Sequence, residues 1–248
     1  MKKIFIVLSA ICIFIACKKD STSSQISKPL LSLQSNSSIG GNIMVDSSGR
    51  AVYSFIFDAQ GKAFCLSGCA VVWPHVYFES LSQSKLGTGL KISDFSTVTN
   101  SDGGMQTTYK GHPLYIYTSD IETNGIWSVN GNNVEGGVWF ASQATFTVFI
   151  SNQKKITGED SAFLTTDNSM TLYTTTATTP NAQLATYKPA NSTINVPARL
   201  SASDFTLNGN GELLYKGNLL YTFQGDSNIG DINGTKESEI SLVVLPVE

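Results

Sequence analysis

Cys65, Cys69 and His75 lie within one stretch of twelve residues, FCLSGCAVVWPH, and are the side chains best placed to hold a soft metal or cycle electrons. Two chemistries suit them. In an exported chain the two thiols oxidise to a disulfide, and Gly68 eases the tight loop that this requires. Kept as thiolates, with His75 as a third ligand, they would suit copper or zinc. Haem attachment is excluded, because Ala70 stands where the pair would need a following histidine. His112 is the other histidine; like His75 it adjoins a proline. Both are candidate ligand-binding residues, although an isolated loop histidine is ordinarily polar surface. Asp58, Asp120 and Asp226 recur at equivalent places and have two readings of their own. Each caps a turn through backbone N–H groups, or the three converge on a hard cation such as Ca²⁺. The oxygen-rich run 226–234 fails the EF-hand spacing, since Asp231 occupies the place of the required glycine.

For bond-making chemistry the sequence offers little. It contains no GxSxG elbow, no HExxH and no phosphate loop, and its carboxylates form no distinguishing pair. The expectation is a protein that is not an enzyme, with no catalytic residue, no cofactor and no resident metal. The formal charge of −3 provides no basic field, so nucleic acid is not an expected partner. With 41% hydrophobic and 14% charged residues, the 248-residue chain can bury a core and is not disordered.

The elements that must position these residues come as repeats. VYSFIFD (52–58), LYIYTSD (114–120) and LYTFQGD (220–226) share a tyrosine, an aromatic two residues on and an aspartate five residues on. These residues are Tyr53, Phe55 and Asp58; Tyr115, Tyr117 and Asp120; Tyr221, Phe223 and Asp226. LYTTTAT (172–178) is a worn copy, with Thr178 in the aspartate's place. TyrLysGly precedes Tyr115 and Tyr221 by six residues, whereas Asp46-Ser47-Ser48-Gly49 and Asp167-Asn168-Ser169 precede Tyr53 and Tyr173. The copies therefore alternate in type, as in a duplicated two-repeat unit. Alternating apolar residues and short Gly/Asp/Asn turns read as four hairpins, each extended by outer strands. The expected fold is all-β: four antiparallel repeats in a pseudo-two-fold duplicated arrangement, forming a four-bladed propeller-like ring that removes exposed edges. The alternative is two tandem small β-sandwich or barrel domains. Helix is expected only as a short turn around Ala70 to Trp73.

At the N-terminus, Lys2 and Lys3 precede an apolar run from Ile4 to Ala16 that is too short to span a bilayer and has the length of a signal-peptide core. Residues 1–16 are thus an expected signal peptide, and Cys17 the expected site of lipid attachment. Residues 17–29 are Ser-rich and polar, and read as a lipid-anchored flexible tether. The first β half then covers 30–142 and the second 143–248. Lys18, directly after the lipid cysteine, points to the outer membrane of a bacterial cell envelope, with the membrane a partner through the anchor.

Together these residues resemble a bacterial lipoprotein family known as a secreted repeat of unknown function, marked by a Yx(F/W/Y)xxD motif. The resemblance rests on the FIAC segment (14–17), the three motif copies, CysxxxCysAlaxxTrpPro (65–74), TyrLysGlyHisProLeuTyr (109–115) and GlyGlyValTrpPhe (136–140). It is strongest over about 39–142, and is nearly silent on activity. The expected function is a lipid-anchored, non-enzymatic envelope protein whose β repeats present a binding or interaction surface, its partner an envelope protein or a small ligand. The alternative is a metal- or redox-handling lipoprotein using Cys65, Cys69 and His75.

Overall fold

The computed structural model describes residues 28–58, 62–154 and 160–245. The expected signal peptide, Cys17 and nearly all of the tether lie outside the described residues. In the first half the strands are β1 (Leu31–Asn36), β2 (Gly41–Asp46), β3 (Tyr53–Phe55), β4 (Phe95–Thr99), β5 (Met105–Tyr109), β6 (His112–Pro113), β7 (Glu122–Thr123), β8 (Ile126–Trp127) and β9 (Trp139–Ala141). In the second they are β10 (Val148–Lys154), β11 (Asp160–Thr166), β12 (Tyr173–Thr175), β13 (Leu184–Thr186), β14 (Phe205–Leu207), β15 (Leu213–Tyr215), β16 (Asn218–Leu219), β17 (Tyr221–Phe223), β18 (Ile240–Leu242) and β19 (Val244–Leu245). The one α-helix among the described residues, α1 (Gly68–Val72), is a single turn inside the cysteine loop.

Turn chemistry makes the repeats. Tyr109 pairs with His112, and Tyr215 with Asn218, across two-residue loops whose central residues all have positive φ: Lys110 and Gly111 at 47° and 83°, Lys216 and Gly217 at 49° and 82°. That is the type I′ geometry whose twist matches a hairpin, and it explains TyrLysGly. Upstream, Phe95 packs on Tyr109 at 5.0 Å and 48°, and Phe205 on Tyr215 at 4.9 Å and 46°. The even repeats are thus near-copies in space.

The motif strands do not stay within their repeats. Tyr53 pairs antiparallel with Tyr115, and Tyr173 with Tyr221. In the first half the order across the sheet is His75, Tyr115, Tyr53, Ala141; in the second it is Thr186, Tyr221, Tyr173, Leu242. Each half is therefore a pseudo-two-fold pair of repeats, joined motif to motif. This corrects the expectation of four separate sheets, one built from each repeat. The described strands form seven small antiparallel sheets, of which the one four-stranded sheet draws strands from both repeats of the second half, and no closed barrel.

Alternation along these strands sorts the core into layers. Met44, Val52, Leu114 and Phe140 face a large apolar cluster that also contains Phe149, Leu164, Leu172, Leu213 and Val243 of the second half. Their strand neighbours Ile43, Val45, Tyr53, Tyr115 and Trp139 face the other way, into a smaller cluster closed by Trp73 and Cys65. The counterpart in the second half holds Tyr173, Phe223 and Ile240. One shared core thus lies between the motif strands of the two halves, and each half has a satellite core on the other side of those strands.

Candidate functional site

The recurrent tyrosines and aspartates meet across repeats. The Tyr53 hydroxyl donates to Asp120 Oδ2 at 2.8 Å, and the Tyr115 hydroxyl to Asp58 Oδ2 at 2.7 Å. In the second half Tyr173 donates to Asp226 at 2.6 Å. Each carboxylate turns its other oxygen to the loop that follows it, accepting from the N–H of Phe64, Asn130 or Asn233 at 2.8, 2.8 and 2.9 Å. The motif is therefore a clasp: the tyrosine of one repeat is tied to the strand end of the other, and the carboxylate fixes the next loop. Tyr221 has no equivalent acceptor in its sister motif, because Thr178 stands there. Burial raises the proton affinity of all three carboxyls, and pushes Asp58 up to about 8 despite the two bonds it accepts. The tyrosines are raised further still by burial and by the facing carboxylate.

Inside the first clasp stands a column of four rings. Phe55 stacks on Trp139 at 4.1 Å, Trp139 on Trp73 at 3.8 Å, and Trp73 on Tyr117 at 4.2 Å. Tyr53 meets Trp73 edge-on at 5.4 Å and Tyr115 meets Trp139 edge-on at 5.1 Å. Register aligns Phe55, Trp139, Trp73 and Tyr117 with Thr175, Ile240, Leu184 and Phe223 of the second half. The second half thus builds the same sheet and one clasp without the column.

The remaining candidates are accounted for individually. Cys65 and Cys69 form a disulfide with Cα atoms 5.1 Å apart. The His75 Nε2–H donates to the Cys65 carbonyl at 2.7 Å, and Nδ1 faces the Asn100 amide at 3.2 Å. Both sulfurs and both ring nitrogens are therefore engaged, which does not suit the soft-metal reading. His112, expected as loop surface, is instead 2% exposed and stacked on Phe149 at 4.7 Å. Neither ring nitrogen has a hydrogen-bond partner, and burial lowers its pKa to about 4, so the ring is neutral. The aspartates do not converge on a cation: each is occupied by its own clasp, and among the described residues no group of three or more His, Cys, Asp or Glu could hold a metal.

What sequence reasoning missed is the hairpin β7–β8, which leaves the body just after Asp120. Asn124 and Gly125 turn it, with φ of 53° and 79°, and Asn-Gly between apolar residues is the strongest short hairpin signal. Ile121 and Ile126 are 64% and 68% exposed. Together with the β1–β2 turn the hairpin walls a groove of 580 Å³, lined by Gln34, Ser35, Ser37, Ser38, Thr123 and Trp127 among others. The Arg50 guanidinium lies 4.8 Å from the Trp127 ring centre and donates to the Tyr117 carbonyl, which fixes the indole against the body. Gly49, at φ 94°, passes close to the same ring, where a Cβ would come within 3.6 Å of it. The loop after Asp226 has no hairpin in this place, only the short 3₁₀ turn Asn233–Lys236.

Residues 96–142, which span the second repeat, its clasp, the hairpin and Trp139, match the profile of a family described as a secreted repeat of unknown function. No curated protein and no solved structure matches the chain. Among the described residues no helix is long and apolar enough to cross a membrane.

Proposed function

We propose that the chain is a non-enzymatic envelope protein, anchored through a lipid on Cys17 in the outer membrane, that binds a partner through its first half. The observation that carries this reading is the β7–β8 hairpin. It sets two large aliphatic side chains in solvent beside a groove, on a frame made rigid by two clasps and a stacked aromatic column. Exposed aliphatic residues clustered on a projecting element mark contact surfaces more often than isolated ones do. The secreted-repeat match supports an envelope or extracellular setting. In the same proposal the architecture is two pseudo-two-fold halves around a shared core; the direct pairing of the motif strands supports this over four independent blades.

The test is co-sedimentation of residues 17–248 carrying Cys17→Ser, which takes no lipid and so does not sediment by membrane anchoring alone, with cell-envelope fragments. This chain should co-sediment, and the double variant Ile121→Asp, Ile126→Asp made in it should lose about tenfold or more of its apparent affinity, the loss of two apolar anchors. Val244→Asp, at an exposed aliphatic residue of the second half, should bind as wild type. Unchanged binding of the double variant would refute the reading.

A further inference from the structure

We infer that the groove beside the hairpin is a saccharide subsite, taking an uncharged oligosaccharide across Trp127. This rests on the binding reading above and names its ligand class. The first argument is charge. None of the groove's fourteen lining residues is ionisable, although the chain carries 35 acidic and basic residues. Other clefts of the surface are not neutral: one contains Lys62 and Asp231, another Glu135, Arg199, Asp204 and Lys216. A charged ligand placed in the groove would lose hydration with nothing to pair it.

The second argument is hydrogen bonding. The side chains of Gln34, Ser35, Ser37, Ser38 and Thr123 make no hydrogen bond to any described residue. Their hydroxyls and amide offer both donors and acceptors, which is what the hydroxyls of a neutral sugar require. The third is shape and apolar surface. Trp127, Ile121 and Ile126 supply a flat, C–H-binding wall, and a pyranose ring pairs one apolar face with a polar rim. The indole is held in place by Arg50 and Gly49, so little side-chain freedom is lost on binding. At 580 Å³ the groove has the volume of a small-ligand site and suits two or three sugar rings in a longer chain.

The experiment titrates the full chain, held in an amine-oxide detergent that contains no sugar, with cellohexaose, maltohexaose and the hexamer of N-acetylglucosamine. Tryptophan fluorescence and calorimetry report binding. At least one neutral hexasaccharide should bind saturably and without dependence on added salt. Trp127→Ala should weaken it by about tenfold or more. Thr123→Arg, an exposed substitution that projects a charge into the groove without touching the core, should do the same and guards against misfolding of the first variant. The inference is overturned if no hexasaccharide binds the wild-type chain, if both variants bind as wild type, or if the groove takes only a neutral peptide. The two readings separate cleanly. If no sugar binds and the Ile121→Asp, Ile126→Asp chain still loses the envelope fragments, only the saccharide assignment falls. If that variant also retains them, the binding reading falls with it.

Discussion

Substituting Asp58 with asparagine should remove a pH dependence from the stability of the wild-type chain. Asp58 is 1% exposed, accepts from Tyr115 and Phe64, and has its pKa raised by burial from 3.8 to about 8. A group protonated more readily in the folded than in the unfolded state gives stability that is complete below its unfolded pKa and is lost as pH rises through the folded one. The wild-type chain should therefore lose stability between about pH 4 and pH 8, by an amount on the order of 5 kcal/mol if Asp58 acted alone. Asparagine keeps both contacts: its carbonyl accepts from Phe64 N–H and its amide donates to the Tyr115 oxygen. The difference in melting temperature, variant minus wild type, should climb steadily across that window. His112 acts with the opposite sign, since its pKa is lowered to about 4 and stability is lost as pH falls from about 6.5 towards that value. It is present in both chains, so it cancels in the difference. A flat difference would show that the Asp58 carboxyl is not buried in this clasp.

Substituting Trp139 with alanine should cost about 4 kcal/mol in denaturant unfolding, at the upper end for a core aromatic. The ring is 1% exposed, sandwiched between Phe55 and Trp73 and abutted by Tyr115, so three aromatic contacts end in one cavity. The near-UV circular dichroism of the column should collapse with it. Ile240→Ala, at the register-equivalent position, should cost less, about 2–3 kcal/mol, because no stack depends on it. Equal costs at the two sites would mean that the column adds nothing to the frame.

The repeats could be read from the chain because their chemistry is local. Tyr, an aromatic and Asp at fixed offsets, and TyrLysGly before them, are spacings within one strand and one turn. Antiparallel β structure and the sparse helix around residue 70 followed from the same patterns. The crossing of the clasps could not be read. Spacing places Asp58 five residues after Tyr53, yet Asp58 binds Tyr115, and which repeat supplies the partner is decided by the pairing of Tyr53 with Tyr115. The column hides for a related reason, as Trp73 and Trp139 lie far apart in the chain and meet only through register. His112 was expected at the surface because a loop histidine usually is; here the type I′ turn at Lys110-Gly111 feeds it directly into the core against Phe149. The hairpin was legible in Asn124-Gly125, but two-residue strands are too short for alternation to announce them.

That the motif is a clasp between repeats, making a rigid platform rather than a reactive centre, is tested most directly by a double-mutant cycle on unfolding free energy. Tyr115→Phe and Asp58→Ala, singly and together, should show a coupling of about 1–2 kcal/mol, as residues sharing a buried hydrogen bond do. Tyr53→Phe and Asp58→Ala, which belong to one copy of the motif, should add independently to within about 0.5 kcal/mol. Coupling inside the copy, or none between copies, would contradict the clasp.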